Sequence, residues 1–266
     1  MTVLLASDLD RTLVYSAAAM GLGLPVTDPV CVEIHKGREV SFISPRALKR
    51  LAELSREVPF VPTTTRSRRQ YRRIRFPGVE VEYAVTTNGG TLLVDGEPCE
   101  DWTREVDRHL AGVASYTEGE ARLATVFDRP WVRKHRNVED RFTYAVFDVA
   151  TAPQEWFAEL QAAGDELGWV VSVQGRKVYV IPEGLSKEAA LAEVARRLGV
   201  RTIAAAGDSL LDRGILEYAD LALRPAHGEL HDIGWTTPGL VVTRQAGGGA
   251  AEEIVDAFSE LAGGVV

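Results

Sequence analysis

Short apolar blocks alternate with helix-period stretches through the first third of the chain. "VLLAS" opens at Val3, "PRALKRLAELSRE" follows from Pro45, "VPFVPTT" from Val58, an arginine-rich helical stretch from Arg66 and "EYAVTT" from Glu82. Strand-length apolar runs separated by amphipathic patterns predict βαβ units around a parallel sheet. Between the first strand and its helix lies an excursion of about thirty residues, long for such a connection. Within it "VCVEIH", "KGRE" and "VSFIS" predict a small hairpin over residues 30–45. Such a hairpin either covers a sheet edge or works as a flap over what precedes it.

The pattern changes after "TTNGGTLLVDGEPC", itself a predicted hairpin with Asp95-Gly96 as its turn. Residues 102–127 are mostly helical in character and "RFTYAVFDV" is a strand. "APQEWFAELQAAGDELG" is an amphipathic helix, and "WVVSVQGRKVYVIP" is a pair of strands turning at Gln174-Gly175. This antiparallel α+β composition predicts a second domain, residues 90–184, inserted into a first made of 1–89 and 185–266. Parallel character resumes with "SKEAALAEVARRLG", "RTIAAAGDS", "ADLALRP" and "GLVVT", and "AAEEIVDAFSELA" closes the chain as a helix.

Composition narrows the function without naming it. With 266 residues, 45% hydrophobic and 26% charged, the chain is long enough to bury a core without staples. Its two cysteines, Cys31 and Cys99, are far apart and have no zinc-type spacing, so neither a disulfide framework nor a structural metal site is expected. No segment has the length of a membrane span and no leader pattern stands at the N-terminus, which makes the cytoplasm the expected location. Net charge of -8 argues against nucleic acid as the main partner. "RSRRQYRRIR" carries six arginines in ten residues, but no aromatic platform is interleaved with them.

Four polar signals fall at or beside the ends of core elements. "DLDRT" places Asp8 and Asp10 at the end of the first strand, on one side if the extended backbone continues. Two carboxylates held together need a cation or a shared proton, so the pair is either a solvated loop or the start of an active site. "FVPTTTRS" runs a strand into Thr63, Thr64 and Thr65, residues that also serve as ordinary helix caps. Lys187 stands in the first turn of an amphipathic helix, where the dipole favours anions, and a bound phosphate would explain it. "IAAAGDSLLD" follows a very apolar strand with Gly207, Asp208 and Asp212; the glycine lets a ligand come close.

In this order the four segments resemble the haloacid dehalogenase (HAD) superfamily of phosphohydrolases, over nearly the whole chain. The insert resembles the large α+β cap of the subgroup with Cof-type, sucrose-phosphate and mannosyl-3-phosphoglycerate phosphatases, with "TTNGG" and "GLSKEAAL" at its two hinges. The resemblance implies an α/β Rossmann-like core with an inserted cap. It also implies Asp8 as nucleophile, Asp10 as acid and base, and Thr64 and Lys187 on the phosphoryl oxygens. Mg²⁺ would be held by Asp8, the Asp10 carbonyl and Asp208, supported by Asp212.

Three positions depart from the commonest pattern. Arg11 stands where glycine is usual and is a candidate substrate contact. Thr65 replaces a glycine, which loosens the choice among the three threonines, and Leu211 replaces an asparagine. Asn88 and Arg176 are further candidate substrate contacts, Asn88 being equally a turn residue. "DRPWVRKHR", with Arg129, Arg133, Lys134, His135 and Arg136 around Trp131, is either a solvated basic loop or a site for a second anionic group. His227 and "AGGGAA" read as loop structure. The expected activity is Mg²⁺-dependent hydrolysis of a small phosphomonoester, a sugar phosphate or a phosphorylated acid. A phosphomutase or phosphotransferase is the rival in chemistry, and a silent phosphometabolite-binding protein is the rival in class.

Overall fold

The computed structural model describes residues 3–23 and 25–264. Two compact units emerge, Met1–Cys99 with Lys187–Val266, and Glu100–Ser186. The first opens with β1 (Val3–Ser7), every residue of which is buried. A short helix α1 (Ala17–Met20) precedes the predicted hairpin, β2 (Val30–His35) and β3 (Arg38–Ile43). Helix α2 (Pro45–Leu54) starts where Ser44 caps the Ala47 amide and Pro45 supplies a ready-made first-turn φ. Strand β4 (Phe60–Pro62) follows, then α3 (Arg68–Tyr71) and the meander β5 (Tyr83–Thr86), β6 (Thr91–Val94) and β7 (Glu97–Pro98).

The arginine-rich stretch is helical only over α3, shorter than its periodicity suggests. The chain after Tyr71 leaves the helix to meet the hairpin: Ile74 bridges Glu33 and the Arg75 amide donates to the Val32 carbonyl. Tertiary pairing outweighs a propensity worth only tenths of a kcal/mol per residue, about 0.7 at most.

The second unit holds α4 (Glu100–His109), α5 (Tyr116–Phe127), β8 (Val132–Val138), β9 (Phe142–Phe147), α6 (Gln154–Leu167), β10 (Trp169–Gln174) and β11 (Lys177–Pro182). Its sheet is antiparallel in the order β10-β11-β9-β8. Phe127, Trp156, Leu160 and Trp169 from the helices and β10 pack with Ala145, Phe147, Val178 and Val180, the alternate residues of the sheet. Two sequence expectations change here. The basic "DRPWVRKHR" is no loop: from Val132 it forms the edge strand β8, where Arg133 pairs with Asp148 at 2.7 Å. Arg129, just before it, pairs with Glu159 at 3.0 Å. The boundary expected at residue 90 lies at Cys99, because β6 pairs with β5 and β7 pairs with β6.

The chain re-enters the first unit with α7 (Lys187–Leu198), β12 (Thr202–Ala206), α8 (Arg213–Tyr218), β13 (Leu221–Arg224), α9 (Glu229–Asp232), β14 (Val241–Val242) and α10 (Gly248–Gly264). The main sheet is parallel throughout, in the order β14-β13-β12-β1-β4. Val3 and Leu5 of β1 join Leu51, Leu54, Ile254 and Phe258 in one core cluster, so α2 and α10 cover one face. Helix α8 packs on β12 and β13. Among the described residues no helix is long and apolar enough to cross a membrane.

Candidate active site

Ligands of open parallel sheets bind outside the carboxyl ends of the strands, and three of the predicted segments end there. Asp8 directly follows β1, its amide still donating to Ala206 of β12 at 2.9 Å. The chain then coils back: the amides of Thr12, Leu13 and Val14 all reach the Leu9 carbonyl, and Arg11 closes the turn with φ 67°. That left-handed conformation explains why glycine is usual here. The Arg11 carbonyl accepts from His227 Nε2 at 2.8 Å, while the Gly247 amide donates to His227 Nδ1, two bonds that together assign the ring proton to Nε2. Burial lowers the imidazole's proton affinity, consistent with a neutral ring. The sequence offered His227 only as loop structure.

Lys187 is the centre of the charge arrangement. Only 1% exposed, its Nζ donates to Asp8 Oδ1 and to Asp212 Oδ1, each at 2.6 Å. Burial disfavours the ammonium, but Asp212 and Asp8 outweigh it and hold it above the ordinary lysine value. The other oxygen of Asp212 accepts from the Asp208 amide, the Ser209 amide and the Ser209 hydroxyl at 3.1, 2.9 and 2.8 Å. Asp212 is thereby fully engaged in shaping the loop after β12. Gly207 has to be glycine for this, since a Cβ there would lie 2.2 Å from Asp212 Cβ.

Asp8 and Asp208 are left with oxygens to offer. Asp8 Oδ2 receives a long 3.4 Å contact from the Thr12 hydroxyl, and Asp208 Oδ2 lies 3.3 Å from Arg11 Nε. Ligand atoms of Asp8, Asp208 and Asp212 all fall within 4.8 Å of one another. Burial pushes the Asp8 carboxyl up to about 7 although Lys187 pulls the other way, with the Asp212 and Asp10 charges adding to the rise. Asp208 is likewise raised well above the carboxylate range, by burial and by its two acidic neighbours. Buried, all-oxygen and short of positive charge, this set fits a hard divalent cation, which would relieve the repulsion.

The remaining candidates divide. Thr64 is fully buried, and its Oγ1 accepts from the Arg66 amide at 3.2 Å, which keeps its own proton for another acceptor. The Thr63 hydroxyl turns back to the Val61 carbonyl at 3.1 Å. Asn88 is buried in a turn where Thr87, Asn88 and Gly89 all have positive φ, and its backbone N–H donates to the Thr64 carbonyl at 3.1 Å. Arg176 is an exposed residue of the β10–β11 turn in the second unit; the turn is Gly175-Arg176, one residue later than expected.

Asp10 is 42% exposed and held by a residue to which the sequence assigned no role. Arg66 donates through Nε and Nη2 to both Asp10 oxygens, at 2.6 and 2.8 Å, in a bidentate fork. The position just past the threonine run was the available signal. A cleft of about 750 Å³ elsewhere in this unit is lined by Pro25, Arg46, Arg244 and Glu252 among others, and by none of these carboxylates. Here chemistry, not volume, marks the site.

No family model matches the chain. A phosphoglycolate phosphatase of Pyrobaculum neutrophilum is 28% identical over 144 residues, 52% of this chain and 55% of that protein, so the match spans about half the length of that relative. The sucrose-phosphatase of Synechocystis, solved with sucrose and phosphate, superposes with a TM-score of 0.68 at 16% identity, covering 97% of this chain and 99% of that one. The HAD subclass IIB sugar phosphatase BT4131 gives 0.58 at 12% identity over 100% of both chains. The protein has the HAD phosphatase fold. Asp8 and Asp10 stand just past the first strand of that fold.

Proposed function

We propose that this HAD-fold protein is a Mg²⁺-dependent phosphatase that hydrolyses a small phosphomonoester, a sugar phosphate or a phosphorylated acid, through a phosphoaspartyl form of Asp8. The observation that carries the reading is the buried Lys187 ammonium 2.6 Å from Asp8 with the Asp208 carboxylate alongside, an arrangement built to receive anionic oxygen. The names of the sucrose-phosphatase, the sugar phosphatase and the phosphoglycolate phosphatase support the substrate class.

In the first step Asp8 attacks phosphorus, the bond to the leaving oxygen breaks, and Asp10 gives that oxygen a proton. In the second, water attacks the same phosphorus, Asp10 takes its proton, and the Asp8–phosphorus bond breaks to release phosphate. Splitting one displacement into two is what nucleophilic catalysis supplies, and a single carboxyl serving as acid and then base closes the proton balance. Asp8, Asp208 and the Asp10 carbonyl would hold Mg²⁺, with Asp212 fixing the loop that presents Asp208. Bound there, the ion neutralises the anions that must approach each other. Lys187 and the Thr64 hydroxyl hold the phosphoryl oxygens, where charge gathers during transfer. Arg11 and Asn88 are proposed to touch the rest of the substrate.

A phosphate-release screen of phosphorylated metabolites with Mg²⁺ tests this. Release without any added acceptor is expected, with turnover lost in Asp8→Asn. Phosphate passing only to a sugar acceptor would make the protein a transferase, and tight binding with no release would make it a silent binding protein.

A further inference from the structure

The predicted hairpin reaches the site through one side chain. Glu33 of β2 is 1% exposed and accepts from three donors: Ser41 Oγ at 2.7 Å, Arg66 Nη1 at 2.8 Å and Arg73 Nε at 2.8 Å. Burial works to raise this carboxyl, but Arg66, Ser41 and Arg73 hold it below the usual carboxylate range, so it is a buried anion. Arg66 in turn directs its other two nitrogens, Nε and Nη2, to Asp10, and Nη2 also reaches the Ser41 hydroxyl at 3.4 Å. Its guanidinium is thus clamped between two carboxylates, one in the hairpin and one in the turn after β1. A planar fork fixed at both ends fixes the plane of whatever it grips.

We infer that Glu33 is a positioning residue for the reaction: it locks Arg66, and Arg66 sets the orientation of the Asp10 carboxyl toward the leaving oxygen. This deepens the reading of the site as a phosphatase and rests on it. The hairpin is then a brace for the acid–base group. Backbone pairing anchors it independently, since Tyr15 and Phe42 exchange both amide–carbonyl bonds, at 2.8 and 2.7 Å. A register shift in the β2–β3 ladder around Glu33 accompanies the turning of this side chain into the protein rather than to solvent.

The test uses two variants and two leaving groups. Glu33→Gln keeps the side chain's shape and removes its charge; Arg66→Lys keeps the charge and removes the fork. An alkyl phosphate such as glycerol 3-phosphate needs a proton on its leaving oxygen, whereas p-nitrophenyl phosphate departs as a stable anion. Since kcat/KM reports steps up to leaving-group departure, misplacing the acid should depress it for the alkyl ester by about tenfold or more in both variants, and for the aryl ester by less than about threefold. Equal losses on both esters, or a loss confined to KM, overturn the proposal, because a general structural or substrate-binding role does not discriminate leaving groups. Crystal structures of the variants supply a readout independent of turnover: the Asp10 carboxyl is expected to rotate away from its wild-type plane, and an unmoved Asp10 refutes the brace. If the wild type releases phosphate from neither these esters nor any member of the metabolite screen, the phosphatase reading fails, and the crystal structures still decide whether Glu33 orients Asp10.

Discussion

The raised carboxyl of Asp8 makes a quantitative prediction about the metal-free protein. In the unfolded chain Asp8 titrates near its ordinary 3.8, while in the folded protein burial holds it at about 7. Between those values the folded state keeps a proton that the unfolded state has lost, so folding takes up a proton and stability falls as pH rises. The loss begins near the unfolded value and levels off past the folded one; the difference between 3.8 and about 7 corresponds to on the order of 4 kcal/mol. Asp208, raised by the same burial and by its acidic neighbours, adds to the same slope. His227, held neutral by burial, contributes a slope of opposite sign, so the diagnostic quantity is wild type minus Asp8→Asn. Urea denaturation in EDTA from about pH 5 to pH 8 should show wild type losing stability relative to Asp8→Asn by a few kcal/mol. Mg²⁺ should restore more stability at the alkaline end than at the acid end, because it competes with the proton for the same oxygens. A difference curve that is flat or rises with pH, or Mg²⁺ stabilisation independent of pH, would refute the claim that these carboxylates are uncomfortable as anions without a cation.

Two substitutions probe the scaffold around that cluster. In Gly228→Ala, at φ 94°, the new Cβ would lie 2.6 Å from Asp208 Oδ2; Mg²⁺ affinity read by calorimetry should fall about ten- to a hundredfold, with the fold retained. In Lys187→Met, Asp8 and Asp212 lose their common partner in a buried site; urea denaturation in EDTA should show a loss of about 3–5 kcal/mol near neutral pH. That loss should shrink as Asp8 takes up a proton on acidification.

The parts of the fold that follow a period were readable in advance. "VLLAS" and "IAAAG" gave β1 and β12 because a strand buried on both faces is apolar at every position, and "PRALKRLAEL" gave α2 from its amphipathic stripe. Asp8, Lys187, Asp208 and Asp212 are each ordinary alone and stood out through the order of their segments, which resembles HAD phosphohydrolases; the structure brings all four together. Glu33 and Arg66 carried no such mark. A glutamate in a hairpin and an arginine among six look like solvated charges, and only the long-range approach of β2 to the Arg66 loop turns them inward. Strand β8 was hidden for a related reason: "VRKHRNV" shows no apolar alternation, since an edge strand takes its hydrogen bonds from β9 and its charges from partners such as Asp148.

The placing of β1 bears on how the molecule is made. This first strand lies inside the sheet, and one of its two neighbours pairs Val3 with Thr202, so that flank stays open until most of the polypeptide has left the ribosome. Such distant pairing is slow to form and leaves an apolar ribbon waiting for its mate. The same late arrival delivers Lys187 and Asp208 to Asp8, so in the nascent chain Asp8 stands without its cationic partner, Lys187, until the sheet has closed.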